Sequence, residues 1–249
     1  YVLAVMGLKD ITDVSSRLAL PEMPDLSNFA ELFEEGSILR AMLNTVVITV
    51  VTIVLEIILG CMAAYPLARN RSRWNRILKG LILGVMMIPP LSILVGVYST
   101  LVSMGAISTY WGIILVSTAF GLPMPIYLYS NFMSAIPVSL DEASQIDGCT
   151  PLQTFLYIIL PQLKPVTVTI MILNGVNMWN EYGYSLYILQ KPSMYTLTLT
   201  ISQYFSSSSA SDLNGAAAAA CVGIVPIVVI YLVLQKYFIQ GSIDSAVKG

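Results

Sequence analysis

The sequence predicts an all-α, polytopic transmembrane helix bundle, and three observations carry that expectation. Hydrophobic residues make up 56% of the 249 positions and charged residues 10%, against about 25% charged in ordinary soluble domains. No Asp, Glu, Lys or Arg occurs across residues 80–140. Five apolar stretches, at about 41–68, 77–104, 110–136, 165–189 and 215–235, are each long enough to cross a bilayer, which takes about 20 residues. Lipid offers the backbone no hydrogen-bond partner, so such spans are helices. The short alternating segments of a transmembrane β-barrel are not seen.

The elements follow in order. "YVLAVMGL" is apolar but too short to span, and reads as the end of a first span that begins before residue 1. Residues 9–40 are acidic, with Asp10, Asp13, Glu22, Asp25, Glu31, Glu34 and Glu35 against Lys9, Arg17 and Arg40. "PEMPDLSNF" within them is turn-rich, of the kind that covers a membrane domain. After the first full stretch, "ARNRSRWNRILK" gathers Arg69, Arg71, Arg73, Arg76 and Lys79 in one short connector. By the positive-inside rule that connector is cytoplasmic. Residues 9–40, 105–109 and 190–214 then lie outside, and 137–164 and the C-terminal tail with Lys236 and Lys248 lie inside. Tyr110 and Trp111 open the third full stretch at interface depth. "SSSSASDLNG" (206–215) reads as a flexible outer loop. Pro89, Pro90, Pro123, Pro125 and Pro226 can kink their spans, and "GAAAAACVG" (215–223) permits close helix approach.

Composition also excludes functions. There is no histidine, and Cys61, Cys149 and Cys221 lie far apart. His-based triads, zinc sites and CxxC redox pairs are therefore ruled out, and buried structural thiols are expected. No phosphate-cradling G-x-x-x-x-G-K-[ST] loop occurs. The basic residues form no groove-sized patch for nucleic acid. No catalytic, cofactor or metal residue is expected in this chain.

The polar interruption "SLDEASQIDGCTPLQTFLYIILPQLKP" (139–165) is the most informative segment. Ser139 and Glu142 have capping-box spacing, so a helix is expected from Leu140, with Gly148 ending it. Thr150 and Gln153 repeat the box, with Pro151 at the first helical position. Leu152, Phe155, Leu156 and Ile159 then fall on one helical face, and Pro161 and Pro165 are expected to stop that helix. The first helix would be about 12 Å long, too short to hold in water without packing against something. Ala143 and Ser144 keep its middle low in profile, with Glu142 and Asp147 beside them, which suits a docking surface.

That segment resembles the EAA loop of binding-protein-dependent ABC importers. Glu142, Ala143, Asp147, Gly148, Phe155 and Pro161 match its pattern, with Ser144 and Cys149 where alanines are usual, both small. "MLNTVVIT", "AAYPLAR", "MIPP", "MWNEYGYSLYIL" and the tail "QGSIDSAVKG", with Ser245 at a customary glycine, resemble the sugar-importer permeases. The likeness is to the second permease subunit of the maltose importer. The resemblance implies one transmembrane domain over 1–249 with the type I importer permease fold and coupling helices at about 139–160. It implies ATPase coupling through Glu142, Ala143, Ser144, Asp147, Gly148, Phe155 and Pro161. Its implied partners are a cytoplasmic ATPase dimer that binds ATP and Mg, a second homologous permease, an extracellular or periplasmic solute-binding protein, and membrane lipid. The implied cargo is a carbohydrate, an oligosaccharide in particular, and the implied place is a prokaryotic plasma or inner membrane with a cytoplasmic C-terminus. A different solute such as glycerol phosphate, or a secondary transporter, is the alternative.

Two acids sit at membrane depth, Glu56 in "VTIVLEIILG" and Glu181 in "NMWNEYGY". An ionised carboxylate there costs about 2.5–3.5 kcal/mol on insertion scales, so it faces the bundle interior or a wet cavity. Trp179, Asn180, Tyr182, Tyr184 and Tyr187 surround Glu181 with aromatic faces and hydrogen-bonding groups, which suit a sugar. A polar helix–helix contact or an aromatic belt fits them equally. For Glu56 an interhelical contact and a place on the translocation path are both open.

Overall fold

The computed structural model describes residues 1–10, 13, 15–34, 36–70, 72–206 and 213–246, with side chains for all of these except 205, 206 and 234–246. Glu35, Arg71, Lys248, most of the serine-rich segment, and the side chains of Lys236 and Ser245 lie outside what is described. Every described regular element is helical: α1 (Val2–Gly7), α2 (Ser27–Glu34), α3 (Ser37–Arg69), α4 (Arg73–Met86), α5 (Leu94–Ser103), α6 (Tyr110–Gly121), α7 (Pro123–Ala135), α8 (Ser139–Ile146), α9 (Pro151–Gln153), α10 (Lys164–Trp179), α11 (Gly183–Ile188), α12 (Leu197–Ser206) and α13 (Leu213–Ala246). Among the described residues, Ser37–Arg69, Pro151–Trp179 and Leu213–Val233 are long and apolar enough to cross a membrane, and two bent helix pairs bring the number to as many as five.

The polar pattern along α3 is the reverse of a soluble helix. Val46, Val47, Val50, Val54, Ile58 and Met62 are exposed, whereas Asn44, Thr45, Thr52 and Glu56 are buried. A helix whose surroundings are lipid turns its apolar side chains outward and its polar ones toward its neighbours.

Pro66 and Pro226 lie inside α3 and α13, which run on through them, whereas other prolines bend or re-pitch the chain. The predicted second span (77–104) is two segments, Arg73–Met86 and Pro90–Ser103, crossing at 91°. Pro89 takes an extended conformation, φ −61° and ψ 122°, because the ring of Pro90 disfavours helical backbone before it. α6 and α7 meet at 42°, with Pro123 at the first position of α7. Pro161 and Pro165 do not stop the chain as the sequence predicts, since helix runs on from Pro151 to Trp179. After α9, Thr154–Ile159 is a π-helical turn and Leu160–Leu163 a 3₁₀ turn. Each change of pitch starts a fresh first turn, Pro161 near the start of the 3₁₀ turn and Pro165 second in α10. Proline needs no N–H partner there.

Two compact units divide the chain. One comprises residues 1–49, 98–113 and 179–231. Its core gathers Leu32, Ile38, Trp179, Leu197, Ala218 and Ala219. The alanine run of α13 lets α1 come close, since a Cβ at Gly7 would lie 3.2 Å from the Ala218 backbone. Asn28 Nδ2 donates to the carbonyls of Gly7 (3.0 Å) and Lys9 (2.9 Å), closing the end of α1. Asn44 Nδ2 donates to the Ser193 and Tyr195 carbonyls, and its Oδ1 accepts from the Tyr110 hydroxyl at 2.8 Å.

The other unit comprises 50–97, 114–178 and 232–249. Cys61, Ala64, Tyr129, Met133, Ile136, Phe155, Ile159, Leu163, Val166 and Ile170 form its core. Tyr129 and Thr167 hydroxyls bond at 2.8 Å, and a Cβ at Gly60 would stand 2.8 Å from Pro125 Cβ, so α3 and α7 touch there. Of the three cysteines, all free thiols, Cys61 is buried as expected, but Cys149 and Cys221 are only partly covered.

Candidate functional site

The segment 139–163 is anchored from beneath by a residue the sequence reading passed over. Asp141, on α8, is buried. Its carboxylate accepts from the Tyr65 hydroxyl at 2.8 Å and from Arg69 Nε at 3.2 Å, and Arg69 Nη2 stands 2.8 Å from its Oδ2. Arg69 Nη1 also donates to the carbonyls of Met133 and Ile136, each at 2.9 Å. One guanidinium thus fixes the end of α3, the end of α7 and the start of α8 together, through the several directed donors that suit arginine to such a junction.

The predicted capping box at Ser139 and Glu142 does not form. Val138 is the N-cap and contributes no side-chain bond, and Ser139 is already inside α8. Helix starts there because the Asp141 anchor and the preceding turn at Pro137 position the chain, with backbone bonds from Leu140 N to the Pro137 carbonyl and Asp141 N to the Val138 carbonyl. The second box forms as read: the Thr150 hydroxyl accepts from Gln153 N, and Gln153 Oε1 accepts from Thr150 N at 2.8 Å. Gly148 has φ +84°, the left-handed conformation that glycine takes at a helix end without steric cost.

The two faces of α8 are therefore assigned. Ser144, expected outside, is buried, donating to the Asp141 carbonyl and bonding the Thr154 hydroxyl, both at 2.7 Å. Glu142, Ala143, Asp147 and Gly148 are exposed. Ile146 is 87% exposed between them, and Leu152 and Tyr157 add 62% and 71% exposed neighbours in sequence. Phe155 is buried against Tyr65, ring centroids 5.1 Å apart. Leu152 and Leu156 leave the face they were predicted to share with Phe155 and Ile159, because the wider π turn rotates that face away. Pro161 is exposed.

The polar stretch 179–187 splits in the same way. Trp179 is buried, and its Nε1 donates to the Gly223 carbonyl at 3.2 Å. The Glu181 carboxylate caps α11, accepting from Tyr184 N at 2.6 Å, Ser185 N at 2.9 Å and the Ser185 hydroxyl. Tyr184 is buried, while Asn180, Tyr182 and Tyr187 are exposed. Helix α10 ends at Trp179 and α11 begins at Gly183, so the predicted 165–189 stretch is interrupted at Asn180–Tyr182, where the Glu181 cap takes over. Glu56 belongs to the second unit. It is buried, its Oε2 accepts from Asn174 Nδ2 at 2.6 Å, and a Cβ at Gly121 would overlap its carboxylate. That is an interhelical contact of α3, α6 and α10.

Residues 56–243 match the family of binding-protein-dependent transport system inner membrane components. A melibiose/raffinose/stachyose import permease protein of Bacillus subtilis (strain 168) is 40% identical over 250 residues, covering 100% of this chain and 90% of the relative. A trehalose transport system permease protein of Mycobacterium tuberculosis (strain CDC 1551 / Oshkosh) is 31% identical, over 98% of this chain and 89% of that one. In fold, the chain is similar to one from a bacterial ABC transporter involved in the import of the acidic polysaccharide alginate, with TM-score 0.81, 23% identity, and 95% and 89% of the two chains covered. The chain belongs to the family of binding-protein-dependent inner-membrane transport components, as a multi-pass permease subunit of an ABC system whose ATPase is a separate protein.

Proposed function

We propose that this chain is one of two permease subunits of an importer for an oligosaccharide, the counterpart of the second permease of maltose-type systems. Its role is mechanical and conductive. The exposed face of α8 seats in a cytoplasmic ATPase dimer, which holds ATP and Mg, and a solute-binding protein delivers sugar at the opposite side of the membrane. The observation that carries this reading is the division of α8. Asp141 and Ser144 fasten it inward, while Glu142, Ala143 and Ile146, on a helix of 8 residues, and Asp147 just past its end are left uncovered. So short a helix is marginal without packing. Here its inner face is packed, so it can act as a rigid lever whose outer face meets a partner.

In the proposed cycle, ATP binding closes the ATPase dimer and the 139–163 unit moves with it. Arg69 carries that displacement directly into α3 and α7, because it is bonded to α8 and to both of their ends. ATP shifts the bundle between inward- and outward-open states only to the extent that it binds one better than the other. The carbohydrate assignment is supported by the relatives, one named for melibiose, raffinose and stachyose and another for trehalose. Exposed Asn180 and Tyr182, beside a Glu181 that holds α11 in place, are the residues proposed to meet sugar, through an amide and an aromatic face. Trp179 and Tyr184 support them from the core.

The test is ATP hydrolysis by the reconstituted complex with its binding protein. Stimulation by raffinose-loaded binding protein and none with glycerol phosphate is expected. Stimulation by glycerol phosphate alone overturns the carbohydrate assignment. Within the path, Asn180→Ala and Tyr182→Ala should each raise the half-saturating sugar concentration by about tenfold, the equivalent of about 1.4 kcal/mol for one good polar or aromatic contact. Unchanged uptake at limiting sugar removes them from the path.

A further inference from the structure

We propose that a basic cavity at the start of α4 binds the phosphate of an anionic membrane phospholipid, an association that lies beyond sugar translocation and ATPase coupling. The cavity, of about 300 Å³, is lined by Arg69, Ser72, Asn75, Arg76, Lys79 and Ser134 among others, with no acid among its described lining residues. Most of these groups are already committed, Ser134 Oγ to the Ser130 carbonyl at 2.7 Å among them. Arg69 is paired with Asp141 and bonded to two carbonyls. Asn75 Nδ2 donates to the carbonyls of Pro66 at 2.9 Å and Asn70 at 2.8 Å. Arg76 and Lys79 are different. They stand three apart, so they share one side of α4, and neither side chain has an ion-pair partner among the described residues. Lys79 is half-buried on the cavity wall, and no carboxylate among the described lining residues meets it. A phosphate supplies that counter-charge and accepts hydrogen bonds from both side chains. Ser72 caps the first turn of α4 on the same cavity, accepting from Asn75 N at 3.2 Å, and a helix start adds partial positive charge.

The other side of the same helix selects a lipid over a free ion. Trp74, Ile77, Leu78 and Leu81, at i, i+3, i+4 and i+7, are 75%, 52%, 46% and 59% exposed. No residue of α4 is buried. A cationic side and an uncovered apolar stripe with a tryptophan are the two requirements of a helix lying in a membrane interface. A single phospholipid satisfies both, its phosphate in the cavity and its acyl chains against the stripe. Inorganic phosphate satisfies only the first. By the positive-inside rule the site belongs to the inner leaflet, where basic pockets between spans recognise anionic headgroups.

The experiment is native mass spectrometry of the purified complex titrated with phosphatidylglycerol or phosphatidylcholine. Wild type should retain phosphatidylglycerol in preference to phosphatidylcholine, and excess inorganic phosphate should not displace it. R76Q and K79Q should each weaken retention about fivefold and R76Q/K79Q about thirty-fold, at roughly 1 kcal/mol per basic residue near an anionic lipid surface. The charge-keeping swap R76K/K79R should retain it, as should R73Q, which removes a cation of α4 that does not line the cavity. Equal retention by wild type and R76Q/K79Q, or of both lipids by wild type, overturns the proposal. Displacement by inorganic phosphate overturns it in favour of a free-anion site.

Discussion

At the scale of single residues, Asp141 carries the most. Its side chain is 8% exposed and that of Arg69 14%. Removing one member of such a pair leaves a largely desolvated charge, at a cost of about 3–5 kcal/mol. Asp141→Asn should therefore lower the thermal midpoint of the complex and uncouple ATP hydrolysis from uptake. The double variant R69M/D141N should recover part of that stability, since no unpaired charge remains; a differential scanning calorimetry cycle over the four proteins measures it. Ile146 is the converse case. Being 87% exposed, it can become aspartate with a stability change within about 0.5 kcal/mol, yet Ile146→Asp should abolish co-purification of the ATPase. Survival of the complex in a mild-detergent pull-down would show that this face does not dock. Gly148 has open space where a Cβ would stand but φ +84°, so only the backbone resists substitution there. Gly148→Val should cost more stability than Gly148→Asn, because asparagine tolerates that region and a β-branched residue does not.

Among the elements, the meeting of α3, α6 and α10 depends on a missing side chain. Gly121 leaves room for the Glu56 carboxylate, which Asn174 binds. Gly121→Val should destabilise the bundle by about 1–3 kcal/mol through overpacking, and Glu56→Ala in the same chain should relieve it, as unfolding of the detergent-solubilised permease can read. Local chemistry wrote the element ends that the sequence made legible: the Thr150–Gln153 box, Gly148 at the end of α8, and apolar runs long enough for lipid. The misread ends were set by tertiary contacts. Ser139 has the residue type and spacing of a cap, but the Arg69–Asp141 junction starts α8 one residue earlier. Pro161 and Pro165 have the composition of a stop, but the π and 3₁₀ turns carry the helix past them, and no residue pattern marks such a change of pitch.

For the whole molecule, the family and the bundle were legible because lipid demands long apolar helices and because the EAA-like segment is specific. The pairing of Asp141 with Arg69 was not, since 72 positions separate them and any of the basic residues in that connector could have been the partner. Nor was the inward turn of Trp179 onto Gly223, 44 positions away. Both place a polar or aromatic residue by a contact between spans, which a single sequence does not encode in spacing. The outer face of α8 is the proposed mechanical link from ATP to the bundle. Its most direct test is ATP-driven accumulation of labelled raffinose by proteoliposomes holding the full complex with its binding protein, comparing wild type with Ile146→Asp. Accumulation that requires ATP and disappears in the variant, while the permease pair keeps its thermal midpoint, is the expected result. Accumulation by the variant at the wild-type rate, or uptake by the permease subunits alone without nucleotide, would contradict it.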